Sequence, residues 1–202
     1  MTRTPRERIV LSAAQLVRVQ GVGATGMRDV VAHAEAPRGS LQHYFPGGKD
    51  QLIAEAVAWA GGYAARRVAR VAAKLEDPTP GKLFAAMVAQ WRDEFTATGF
   101  DAGCPLVATV ADAAATSDSL RDAVGKAFEG WQRPLAETLE QFGVPSARSA
   151  SLAVLMLSTL EGAIVLARAH QDVAPLDTVV EELRPLLDGA VDRRRRRAST
   201  VD

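Results

Sequence analysis

The chain has a single cysteine, Cys104, three histidines and no asparagine among its 202 residues. One cysteine excludes an internal disulfide and suits a reducing compartment. His33, His43 and His170 lie far apart with no Cys/His spacing around them, so no zinc motif and no metal ligand is expected. No Ser-x-x-Lys, His-Glu-x-x-His or nucleophile-elbow pattern occurs. An enzyme reading therefore rests only on scattered carboxylates, and neither a catalytic residue nor a cofactor is expected. The chain opens without an apolar signal region. Its longest apolar tract, 152–169, is broken by Ser158, Thr159, Glu161 and Arg168, which argues against a membrane span and for a cytoplasmic protein. Strand-like alternation and internal repeats are absent as well, so the expected fold class is all-α.

The net charge of zero conceals an asymmetry. Residues 1–49 hold seven Arg/Lys against three acids, whereas residues 50–192 hold twelve against twenty. A basic head on an acidic body suits a chain whose head alone meets phosphates. Arg193 to Arg197 add a basic run within 193–202, read as a disordered tail because like charges repel.

Helical periodicity and breakers organise the rest. Thr4-Pro5-Arg6-Glu7 is a capping box opening a helix that buries Ile9, Ala13, Leu16 and Val17 and stops at Gly21. Arg3, Arg6 and Arg8 at its start read either as a solvated helix end or as phosphate contacts. Gly21-Val22-Gly23-Ala24-Thr25-Gly26 matches G-x-G-x-x-G, but a helix precedes it and no strand follows, so the dinucleotide reading is set aside. Thr25 is then a good N-cap for a short helix burying Met27, Val30, Val31 and Ala34. Pro37 to Tyr44 forms a second short helix, with Leu41, Tyr44 and Phe45 turned inward and Arg38, Ser40, Gln42 and His43 outward. Pro46-Gly47-Gly48 stops it. Two short helices joined tightly, the second with a cationic and polar outer face, form a helix-turn-helix whose second helix suits a DNA major groove. Taken alone, the same residues also suit an ordinary helical hairpin.

The Thr25-Gly26-Met27-Arg28-Asp29-Val30 entry, the Gly39-Ser40-Leu41 step, His43-Tyr44-Phe45, and Lys49 followed by Leu52 resemble the tetracycline-repressor family of transcription regulators. Phe45-Pro46-Gly47-Gly48-Lys49 looks like its LmrA/YxaF branch. The chain departs from the family pattern at Glu35, where a turn glycine is usual, and at Gln42, where a tyrosine is usual. The resemblance implies a helix-turn-helix DNA-binding domain over 1–50 and a ligand-binding and dimerisation domain over 51–192. It implies DNA contacts from Thr25, Arg28, Pro37, Arg38, Gly39, Ser40, Gln42, His43, Tyr44 and Lys49.

Beyond the head, a long helix is expected from Lys49 to about Leu75, with Leu52, Ala56, Ala60, Tyr63, Val68 and Val71 on its inner side. Further helices follow over about Pro80 to Thr98, up to Ala115, from Ser117 to Phe142 with a kink at Pro134, from Ser146 onward, and after Pro175. Their aromatic and methionine stripes read as plain core, or as the wall of a cavity. The resemblance favours a cavity, giving Phe84, Met87, Trp91, Phe95, Cys104, Phe128, Trp131 and Met156 as its wall and Glu161, Arg168 and His170 as polar candidates. Cys104 also admits a redox-sensor reading, though no base lies near it in sequence. The last two helices carry more apolar residues than one face can bury, so a second copy is expected to cover the rest, through Leu152, Leu155, Ile164, Val180, Leu183 and Leu187. The functional expectation is a homodimeric repressor released from operator DNA by a small apolar effector. The alternative is an all-helical metabolite-binding protein or enzyme without DNA function.

Overall fold

The structure, a computed structural model, describes residues 3–37 and 39–191. Among these the chain forms nine helices and no strand: α1 (Pro5–Ala24), α2 (Met27–His33), α3 (Ser40–Tyr44), α4 (Gly48–Ala72), α5 (Pro80–Thr98), α6 (Pro105–Ala113), α7 (Asp118–Gln141), α8 (Ser146–His170) and α9 (Ala174–Gly189). The basic run 193–202 lies outside the described residues. Two compact units form. The first runs to Tyr63 and adds Asp101–Gly130; the second takes Ala64–Phe100 and the chain from Trp131 onward.

In the first unit the capping box forms as expected. The Thr4 hydroxyl accepts from the Glu7 N–H at 3.3 Å, and the Thr4 N–H donates to Glu7 Oε2 at 2.8 Å. The Thr4 N–H, the Thr4 hydroxyl and the charge of Arg3 together hold the exposed Glu7 carboxyl below its ordinary pKa. Gly21 does not end α1 outright. It takes φ 78°, kinking the helix, which resumes for a last turn to Ala24. The kink lets Asp112 of α6 approach: its Oδ2 accepts from the Gly23 N–H at 3.3 Å, and a Cβ on Gly21 would meet the same oxygen. Gly21, the first glycine of the pattern, is thus explained by a carboxylate from the chain itself. Arg18 reinforces the α1–α6 packing by donating to the Gly103 carbonyl at 3.0 Å, while the Gly103 N–H returns a bond of 2.7 Å.

Ile9, Val10, Ala13 and Ala14 of α1 meet Val30, Ala34, Phe45, Leu52 and Ala56 in one core, with Leu41, Tyr44 and Trp59 packed on it. Tyr63 is not on the inner side of α4 as expected; it is exposed and stacked on Trp59 at 5.6 Å. The ring face satisfies its apolar surface without burial. Ser117 caps α7 by accepting the Leu120 N–H, and its hydroxyl also donates to Asp50 Oδ2 at 2.8 Å.

In the second unit α5 packs on α9, and α8 on both. Phe84 and Phe95 of α5, Leu135 and Leu139 of α7, Met156 of α8 and Leu176 of α9 are buried. Thr79 caps α5, while Asp188 of α9 reaches its first turn and accepts the Gly81 N–H at 2.8 Å. A carboxylate there also faces the positive end of the helix dipole. Both α7 and α9 continue through their internal prolines, Pro134 and Pro185.

Candidate nucleic-acid interface

The reading head is built from α2, a tight turn and α3. α2 ends in paired turn bonds: the Ala36 N–H reaches the Val31 carbonyl at 3.1 Å and the Glu35 N–H reaches Ala32 at 3.1 Å. This is a Schellman ending, whose left-handed position normally falls to glycine. Here Glu35 fills it with φ 49°, at a cost on the order of 1 kcal/mol. The departure noted in the sequence thus coincides with a real conformational demand.

α3 begins at Ser40, later than expected, and Pro37 precedes it in a turn closed by the Ser40 N–H on the Pro37 carbonyl at 2.9 Å. A helix of five residues has little stability of its own. Its position comes from packing: Leu41 and Tyr44 lie on the core and Phe45 is buried. From α4, Gln51 donates to the Tyr44 carbonyl at 3.4 Å and accepts the Gly47 N–H at 2.9 Å. With that face anchored, Gln42 and His43 are exposed and Ser40 is half-buried. The His43 ring meets Tyr44 edge-on at 4.7 Å.

The remaining expected contacts divide. Arg28, Pro37 and Gly39 are exposed, and Arg38 lies outside the described residues. Lys49 is half-buried and donates to the Gly23 carbonyl at 3.3 Å. Thr25 does not cap α2. The cap position is Gly26, while Thr25 is 1% exposed and its hydroxyl donates back to the Gly21 carbonyl at 2.6 Å. The kink at Gly21 leaves that carbonyl needing a donor, and Thr25 is the one within reach. Two of the three N-terminal arginines are also engaged internally. Arg6 pairs with Glu55 at 2.6 Å and lies over the Phe45 ring, and Arg8 donates to the carbonyls of Ala34 and Glu35.

Of the expected cavity wall, Cys104 and Phe128 belong to the first unit, and Phe84, Met87, Trp91, Phe95, Trp131 and Met156 to the second. Within the second unit Phe95 contacts Trp91 and Phe100, with centroids 5.8 and 5.0 Å away. Trp131 is buried, and its indole N–H has no acceptor among the described residues. Glu161 is buried on α8, Arg168 donates to the Phe100 carbonyl at 3.1 Å, and His170 is exposed. A separate open groove of ≈ 600 Å³ lies in the first unit between α4 and α7, lined by Gly61, Gly62, Asp122 and Lys126 among others; none of the expected wall residues borders it.

The residues expected at the pairing surface divide. Leu152, Ile164, Leu183 and Leu187 are buried within the protomer, Leu187 completely. Leu155, also expected there, lies with Val154, Val165 and Leu166 on the open apolar face of α8, with Leu166 50% exposed, and α9 adds Leu186. Ser158 and Gly162 lie between these residues at helical spacing on the same exposed face. α8 is apolar on all sides, so it buries one face in its own unit and still presents another.

A short helix held by its inner face on a three-helix head, ahead of a larger helical body, defines a helix-turn-helix DNA-binding regulator. The chain belongs to the tetracycline-repressor family: residues 9–56 match the N-terminal profile of bacterial regulatory proteins of the tetR family, and residues 80–182 match the C-terminal domain of LmrA/YxaF-like transcriptional regulators. It is 42% identical over 197 residues to an uncharacterised HTH-type transcriptional regulator of Mycobacterium tuberculosis, covering 95% of this chain and 98% of that one. It is 30% identical over 171 residues to the HTH-type transcriptional regulator LmrA of Bacillus subtilis, covering 85% and 90%. Among solved structures, a TetR transcriptional regulator from Chloroflexus aurantiacus superposes with a TM-score of 0.71 at 26% identity, covering 90% of this chain and 92% of that one. The reduced form of NemR from E. coli gives 0.76 at 22% identity, covering 89% and 94%, a likeness of fold.

Proposed function

We propose that this regulator is a homodimeric repressor that reads a palindromic operator through α3 and is released by a small, largely apolar molecule. The observation that carries the reading is the division of α3. Leu41, Tyr44 and Phe45 are committed to the head's core, leaving Gln42 and His43 exposed. Arg28, Pro37, Arg38, Gly39, Ser40 and Lys49 accompany them as positioning contacts, and Tyr44, half-buried with its ring on the core, contributes only the part left open; Thr25, buried with its hydroxyl engaged, is left out. The DNA-reading function is assigned to residues 1–50, and ligand and partner binding to 51–192. The second copy covers Val154, Leu155, Val165, Leu166 and Leu186. Two-fold pairing puts the two reading helices in successive major grooves about 34–36 Å apart, or a multiple of that spacing. The effector acts by binding better to a state whose heads are wrongly spaced, and it shifts the equilibrium only as far as that preference extends. A protein that reads an operator works in the cytoplasm, and subunit pairing rather than a bilayer accounts for the apolar face of α8.

The test is selection of duplexes from a random pool. An enriched inverted repeat, bound with steep salt dependence by a dimer, is the expected result. No enrichment over input would favour a helical metabolite-binding protein without DNA function.

A further inference from the structure

We propose that Arg8 is a positioning residue for α3: its guanidinium clamps the turn between α2 and α3 and offsets the strain of a glutamate in a left-handed conformation. The proposal rests on the reading of α3 as the DNA-reading helix. Two independent observations support it. Arg8 Nε donates to the Ala34 carbonyl at 3.1 Å and Nη2 to the Glu35 carbonyl at 3.2 Å. Separately, Glu35 stands at φ 49°, where glycine has no clash and glutamate does.

The two fit together physically. Ala34 and Glu35 follow the last turn of α2, where carbonyls lack helical partners and the helix dipole is negative. A planar guanidinium with parallel donors suits two neighbouring carbonyls better than an ammonium does. The bond from Arg8 to the Ala34 carbonyl is part-buried and so less diluted by solvent, while the one to Glu35 is exposed. The neighbouring Glu7 is committed to Thr4 and does not draw the guanidinium away. Ser40, the first residue of α3, follows Glu35 by five positions. A change in the turn therefore re-aims α3, which is too short to correct its own course.

The rival role for Arg8 is a phosphate contact, and a rescue experiment separates the two. The probes are the duplex the wild-type chain selects from a random pool and a scrambled duplex of equal length, each titrated across several salt concentrations. Amide hydrogen exchange over residues 32–40 is measured alongside, without DNA. Arg8→Ala is expected to speed exchange there and weaken the selected duplex about tenfold, as expected for losing part of two charge-assisted hydrogen bonds. Scrambled-duplex affinity and the salt slope stay unchanged. Glu35→Gly in that background recovers most of the loss, and Arg8→Lys, which keeps the charge, falls between. An equal loss on both duplexes, with the salt slope reduced by about one and no rescue by Glu35→Gly, would make Arg8 a phosphate ligand. Unchanged exchange in Arg8→Ala would overturn the clamp by itself. If the wild-type chain selects no duplex, the DNA reading fails, and the exchange arm with its Glu35→Gly rescue still decides whether Arg8 holds the turn.

Discussion

Gly61 of α4 and Ala127 of α7 meet with no side chain between them: a Cβ on Gly61 would stand 2.9 Å from the Ala127 Cβ and 3.0 Å from its carbonyl oxygen. Those are backbone-borne atoms, which cannot swing aside, so Gly61→Ala must push the two helices apart. The expected cost is about 1–3 kcal/mol in urea unfolding, as for other overpacked sites. Gly125→Ala on α7 is the control. Its Cβ would meet nothing within 4 Å, so the gain in helix propensity should stabilise by up to about 1 kcal/mol. A Gly61→Ala variant as stable as the wild type would refute the close crossing.

The second prediction separates pairing from folding on α8. Leu166→Glu places a charge on the open face and should yield a folded monomer by light scattering, with native far-UV circular dichroism. Ile164→Glu, two residues away but 1% exposed, buries an unpaired charge and should unfold the chain, a loss of about 3–5 kcal/mol or more. A dimeric Leu166→Glu variant would move the interface off this face.

That pair also shows where the sequence was legible. The bounds of α5 and α8 could be read because Thr79-Pro80 and Pro145-Ser146 mark their starts and each helix carries a long apolar run. Which side of α8 turns inward could not be read, because apolar residues lie all round it and periodicity then carries no direction. Leu152 and Ile164, expected to meet a second copy, turn inward, while Leu155 at 36% exposure lies on the open face. The head was legible at Leu41, Tyr44 and Phe45, whose spacing encodes their inward turn. Polar ties across long sequence separations were not. Arg8 to Ala34, Asp112 to Gly23 and Ser117 to Asp50 each join residues whose pairing leaves no local pattern.

Trp131 supplies a third prediction. Its buried indole N–H, without an acceptor among the described residues, costs on the order of 1–3 kcal/mol. Trp131→Phe removes the donor and keeps most of the ring, so the unliganded protein should hold or gain thermal stability. If the indole faces the effector, the same variant should weaken effectors that carry an acceptor more than those that carry none. A marked loss of stability in Trp131→Phe would mean that the N–H is satisfied in solution.

The most direct measurement of the central claim compares Gln42 with Lys49 on a panel of single-base variants of the selected duplex, at several salt concentrations. Gln42 is exposed on α3, and its carboxamide can pair with adenine N6 and N7; the chain has no asparagine to do so in its place. Lys49 follows α3 and donates to the Gly23 carbonyl; in the proposed reading its ammonium also meets a phosphate as a point charge. Lys49→Ala should weaken every duplex alike and lower the salt slope by about one. Gln42→Ala should cost about 1–3 kcal/mol, concentrated at one base pair per half-site, which then tolerates any base. A uniform loss for Gln42→Ala with no relaxed position would make it a backbone contact and pass base reading to Arg38 and His43. No loss on any duplex for either variant would contradict α3 as the reading helix.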